Sequence, residues 1–279
     1  MHHKLALITV AVLTSLSAQA ADWSDTSIAL THGTKYAEPF DGNNITKNIY
    51  SLTHVSGDKY GQNFFNADLL QSASGSKDKA ASAATGAQEV YALYRRLFDL
   101  QKITGKSYAF GPVKDVGVTV GFDWNTKNND YASKKRMLVA GPTFMMDVKD
   151  GFFNVSLLLL DESNAPGTAA RYDYKDHPSL SLAWGVPTGI NDLSFSGWAD
   201  FIAAKGNDEA GAGTKPETHI YATLMYDVSA SVGASRNTFK VGAGYEYWKN
   251  KFGNDHTNIA GPGQGAFAKT PFVKAEYHF

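Results

Sequence analysis

With 279 residues and a formal net charge of −1, the chain lacks the basic excess that displaces counterions from a polyanion, so no nucleic-acid partner is expected. Cysteine is absent, which excludes a disulfide framework and thiolate metal sites and leaves packing and backbone hydrogen bonds to hold the fold. Aromatics make up 13% of the residues and Gly numbers 26 against 9 Pro, yet mean hydropathy is −0.28. That combination suits strands that alternate lipid-facing and lumen-facing side chains.

The chain opens with Lys4, an apolar run from Leu5 to Leu16 and the small-x-small stretch Ala18-Gln19-Ala20. The run is shorter than the ~18–20 residues a membrane helix needs, so it reads as a signal peptide over 1–20, with an N-terminal anchor as the alternative. The mature chain then begins near Ala21-Asp22-Trp23 and forms one domain over 21–279.

Beyond it the sequence breaks into short segments of period two separated by turns. Strands are predicted near 26–36, 45–56, 63–71, 88–102, 113–125, 135–148, 151–161, 177–186, 192–204, 218–228, 238–249 and 268–279, about twelve, which agrees with the even number of bacterial barrels. The alternation is clearest late in the chain. Phe195 and Phe201 oppose Trp198 and Asp200; Ile220 and Leu224 oppose His219 and Tyr221; Tyr245 and Tyr247 oppose Glu246 and Trp248. Between 45 and 102 the parity is ambiguous, because Arg95, Arg96 and Asp99 sit among apolar residues. In the last segment Val273, Ala275, Tyr277 and the terminal Phe279 share a face, a pattern that resembles the signal by which outer-membrane barrels are presented to their assembly machinery. The connections near 72–87, 162–176, 205–217 and 250–267 are long, whereas 149–151 and 187–191 are brief, so long loops and tight turns are expected at opposite ends. The fold class is therefore an all-β transmembrane antiparallel barrel in the outer membrane of a Gram-negative cell, with outer-membrane lipid around it.

No catalytic constellation stands out, and neither a cofactor nor a metal site is expected. The His residues are scattered singly; a barrel lipid hydrolase would have to draw on His54, His177 or His219. Asp123, Asp200, Asp227, Lys240, Glu246, Lys274 and Glu276 fall on the predicted lumen faces, since a charge facing lipid at midplane costs about 2–4 kcal/mol. Each reads either as part of a structural ladder along the wall or as a solute contact. The candidate solute path comprises Trp198, Asp200, Tyr221, Glu246 and Trp248, with an interfacial girdle as the alternative place for the two tryptophans.

A set of blocks in order carries a family resemblance: Trp23-Ser24-Asp25, Pro39-Phe40, Lys59-Tyr60-Gly61, Asn63-Phe64-Phe65, Tyr94-Arg95-Arg96-Leu97, Phe110-Gly111-Pro112, Trp184-Gly185, Tyr245-Glu246-Tyr247-Trp248 and Asn250-Lys251-Phe252-Gly253. Together these span most of the mature chain, which resembles the nucleoside-specific outer-membrane channels of the Tsx/OmpK-like family. The resemblance implies a twelve-stranded monomeric barrel with a narrow passage favouring nucleosides or similar small solutes, and in some members a receptor role for phage or colicin. It equally implies the alternative of an OmpK-type pore or receptor barrel without nucleoside selectivity.

Overall fold

The computed structural model describes residues 21–76, 78–81 and 85–279; the expected signal peptide over 1–20 lies outside them. One antiparallel sheet contains thirteen strands. They are β1 (Trp23–Glu38), β2 (Asp41–Asp58), β3 (Gly61–Ser72), β4 (Gln88–Asp99), β5 (Val113–Lys127), β6 (Arg136–Met146), β7 (Phe152–Asn164), the two-residue β8 (Tyr172–Asp173), β9 (His177–Pro187), β10 (Leu193–Ile202), β11 (Glu217–Asp227), β12 (Phe239–Lys249) and β13 (Phe267–His278). Apart from β8, each pairs with its neighbours in chain order, and β1 pairs with β13, so twelve long strands close into a barrel. A two-residue loop strand, β8, adds to β7 outside the wall.

Period two sorts the side chains onto the two faces. Leu30, Leu52, Leu69, Phe122, Leu159 and Val273 point outward and are 43–58% exposed, whereas Thr31, Asp123, Thr143, Thr270 and Phe272 point inward and are 0–5% exposed. In water such a belt would be a large apolar liability; hydrocarbon solvates it, and ring closure leaves no unpaired strand edge within the lipid. The chain is an outer-membrane protein, a barrel turned apolar side out. Among the described residues no helix is long and apolar enough to cross a membrane.

In β1 the register against β2 slips between Gly33 and Tyr36, a bulge that returns Tyr36 and Glu38 to the lumen face. Gly33 is needed there, because a Cβ would stand 2.9 Å from the Tyr36 ring.

Two expectations are corrected and one ambiguity is resolved. Strand β4 stops at Asp99 instead of reaching 102: its carboxylate accepts from the Lys102 amide at 2.8 Å, capping a one-turn helix, α1 (Leu100–Thr104), that ends at Gly105 with φ 70°. The ambiguous parity of this strand resolves with Arg95 inside and Arg96 outside, opposite Val120. Arg96 then grips Asp58 with two bonds of 2.8 and 2.9 Å near the terminus end of the wall, where a lipid-side charge costs only ~0–1 kcal/mol. The ends are also less strictly divided than expected. All four long loops lie opposite the termini, but that end includes the tight turn at Pro39-Phe40, and the terminus end carries the longer connections 100–112 and 228–238. The second of these is ordered by Asp227, whose carboxylate accepts from the Ser229 and Asn237 amides at 3.0 and 2.7 Å.

Candidate functional site: the barrel lumen

All five residues of the candidate path face the lumen, and strand pairing brings them together. Trp198 lies opposite Tyr221 and Asp200 opposite His219, while Tyr221 lies opposite Glu246 and His219 opposite Trp248. The rings form a continuous ladder. Phe272 stacks on Tyr221 at 4.7 Å, and Tyr221 lies parallel to Trp198 at 6.0 Å. Trp198 meets His219 edge-on at 4.5 Å, and His219 stacks on Trp248 at 3.6 Å. Phe252 of the β12–β13 loop closes the series against Trp248 at 4.8 Å. Neither tryptophan belongs to an outer girdle.

Polar groups fix the ladder's orientation. The His219 Nε2 lies 2.9 Å from Glu246 Oε1, and the Trp248 indole donates to Glu217 at 3.1 Å. The Lys251 ammonium sits 4.4 Å from the Trp248 ring, a cation–π contact. A wall built this way offers π-faces for stacking and carboxylates for hydrogen bonding to a flat polar solute.

A charged cluster crosses the lumen at the loop end. Glu38 of β1 accepts from Lys47 of β2 at 2.5 Å and pairs with Lys127 of β5 at 3.4 Å and Lys251 at 3.3 Å. Between β1 and β5 stand β2, β3 and β4, so the Glu38–Lys127 pair spans the interior instead of following the wall. Asp78, from the β3–β4 loop, reaches into the same cluster at 2.9 Å from Lys127 and 3.6 Å from Lys47. Lys205, just past β10, is held by Glu162 at 2.9 Å and Glu217 at 3.6 Å. Burial opposes its charge, but the two carboxylates outweigh that and keep its pKa above the usual lysine value.

The loops are laced to one another above this cluster. Tyr131 and Tyr172 both donate to Glu209 at 2.7 Å, joining three connections. Burial and the bonds to Tyr172 and Glu209 push the Tyr131 phenol above its ordinary pKa. Lys215 donates its amide to Gly253 at 2.8 Å, tying the next two loops.

Alternation along single strands placed His219 and Phe272 on the lumen face without singling them out. What selects them is cross-strand register. The Glu38–Lys47–Lys127–Asp78 cluster has no signal along the chain, since its members come from a bulged strand end, the two separated strands β2 and β5, and a loop.

No family model matches the chain, and no curated protein matches it. Solved structures of similar shape include the KdgM porin, at 10% identity and a TM-score of 0.45 over 91% of this chain and 99% of that one. The translocator domain of the autotransporter NalP from Neisseria meningitidis has 12% identity and a TM-score of 0.38 over 100% and 96%. The outer membrane protein OpdK from Pseudomonas aeruginosa has 9% identity and a TM-score of 0.30 over 93% and 100%. Likenesses this distant transfer no activity.

Proposed function

We propose that the protein is a passive outer-membrane channel for small polar solutes, with nucleosides as the favoured class. The observation that carries this reading is the lumen ladder of Tyr221, Trp198, His219 and Trp248 beside Asp200 and Glu246. A nucleoside offers a base to stack and ribose hydroxyls to donate, and a series of similar weak sites lets it step along the wall and leave. The ordered sequence blocks that resemble those of the Tsx/OmpK-like channels support the same reading.

The protein acts without catalysis in this reading. His54 bonds Thr26 on the outer face at 2.8 Å, His177 is 1% exposed with its Nδ1 2.9 Å from the Lys175 carbonyl, and His219 is sandwiched in the ladder. Among the described residues none of the three has a serine hydroxyl as its hydrogen-bond partner.

A panel of nucleosides, free bases and sugars tests the function in proteoliposome swelling and in single-channel recordings. Nucleosides are expected to block ion current reversibly at concentrations where sugars of similar size do not. Equal behaviour of nucleosides and sugars would replace the first reading with an unselective pore. The cross-lumen pairs at Glu38 favour a second reading, in which the laced loop end serves as a receptor surface for a phage or colicin and transport is secondary.

Assembly is assigned to the last strand. Phe279 is 72% exposed, its amide donates to Thr26 at 2.9 Å, and its ring meets Tyr277 edge-on at 5.0 Å, outside the barrel. A ring presented outward at the closing seam is available to assembly machinery before it meets lipid. Deleting Phe279, or replacing it with Asp, is expected to lower the amount of folded barrel in the outer membrane several-fold at low expression while synthesis and export continue. Undiminished levels of assembled protein would overturn this role.

A further inference from the structure

Two carboxylates in the lumen stand apart from the ion-paired majority. Asp68 projects inward from β3, opposite Ser51 in register on one side and Tyr91 on the other. Asp200 projects inward from β10, opposite Ser181 and His219. Among the described residues, neither has a Lys or Arg nitrogen within 4.0 Å, and the Asp68 Oδ1 atom is buried with no hydrogen-bond partner. The basic groups nearest in effect are committed elsewhere. Arg95 holds Asp123 at 2.5 Å, and Lys274 holds Glu276 at 2.6 Å.

Their placement is as informative as their lack of partners. Around the ring, β4, β5, β6, β7 and β9 lie between β3 and β10 on one side, and β2, β1, β13, β12 and β11 on the other. The two carboxylates therefore face each other from opposed walls. Asp200 adjoins the aromatic ladder through its pairing with His219. Most other lumen carboxylates are matched: Glu38, Asp78 and Glu89 by Lys47, Lys127 and Lys251, Glu162 and Glu217 by Lys205 and Lys135, and Glu246 leans on His219. What remains in the field of the passage is negative. A carboxylate taken from water without a fixed counter-charge is costly; either a proton or a mobile cation relieves it, and in a passage bathed in salt solution the cation is the partner at hand.

We infer that the passage is cation-selective, with Asp68 and Asp200 as the residues that set the sign, so that monovalent cations and amine-bearing flat solutes enter in preference to anions. This rests on the channel reading above. Narrow, low-dielectric walls of one sign raise local counter-ion concentration by about 10- to 1,000-fold, which makes two uncompensated charges enough to decide selectivity in a crowded lumen.

The experiment is the reversal potential of the purified full-length mature barrel in planar bilayers across a KCl gradient. The wild-type protein is expected to show a K⁺-over-Cl⁻ permeability ratio on the order of ten. The double variant Asp68→Asn/Asp200→Asn, which keeps side-chain size, is expected to bring the ratio close to one, and each single variant to fall between. A conducting wild-type channel with a ratio of one or below overturns the inference while leaving the channel reading intact. So does a double variant that conducts with its selectivity unchanged. A barrel that inserts but passes no ions removes the channel reading and this inference with it. The wild-type measurement decides the sign even where a variant fails to assemble.

Discussion

Replacing Glu38 with Gln is expected to destabilise the barrel by about 3–5 kcal/mol, the range found when one partner of a buried ion pair is removed. One carboxylate serves the ammonium groups of Lys47, Lys127 and Lys251, whose side chains are 3%, 6% and 6% exposed. Gln fills the same space but leaves three desolvated cations with Asp78 and the more distant Glu89, 3.8 Å from Lys127. The loss is read as a lower midpoint of the unheated, fast-migrating band on denaturing gels with increasing urea. Because Glu38–Lys127 crosses the interior, the same variant is expected to raise single-channel conductance. An unshifted midpoint together with unchanged conductance would mean that the cluster neither braces the wall nor narrows the passage. Lys127→Met probes the cluster from the opposite charge and should loosen the same crossing, with a smaller loss of stability, since Glu38 keeps two cations.

Truncating the ladder has the second large effect. Trp198→Ala, Tyr221→Ala and Trp248→Ala each remove a ring from a stacked series, and base-stacking contacts are worth ~1–3 kcal/mol, which converts to roughly a five- to hundredfold weaker nucleoside block of ion current. Trp198→Ala should cost the most, because it parts the series near its middle, separating Phe272 and Tyr221 from His219, Trp248 and Phe252. Trp248→Ala also leaves that Glu217 oxygen with the Phe252 amide as its remaining donor, so its folded band must be verified first. If all three variants assemble and retain the wild-type block, selectivity resides elsewhere in the lumen or is absent.

Much of this arrangement was legible in the sequence for a simple physical reason. Where a strand crosses the full hydrocarbon thickness, a polar side chain on the wrong face is heavily penalised, so Leu193–Ile202, Glu217–Asp227 and Phe239–Lys249 alternate cleanly and the inward direction of Trp198, Tyr221 and Glu246 follows. The penalty fades toward the membrane interface, which is why Arg95 and Arg96 gave no clear parity: Arg95 turns inward to Asp123 and Arg96 outward to Asp58. The helix after β4 did have a local signature, an Asp cap followed by Gly at the left-handed end, but its single turn is shorter than one hydrophobic repeat. The cross-lumen cluster was illegible because Glu38, Asp78 and Lys127 meet only after the ring has closed, and closure leaves no mark along the chain.

That closure carries a kinetic cost of its own. The seam joins the first strand to the last, Ser27 opposite His278 and Gly33 opposite Phe272, so the contact that completes the barrel is nearly the most distant in sequence that the chain can make. Pairings so far apart are slow, because the entropy of closing the intervening chain must be met before they contribute anything. Until β13 arrives, β1 presents sixteen residues of unpaired strand edge, from Trp23 to Glu38, to whatever extended segment it meets. Spontaneous folding at cellular concentration would therefore compete with intermolecular strand pairing, and anything that keeps both terminal strands apart from other copies until they meet each other would favour the closed ring.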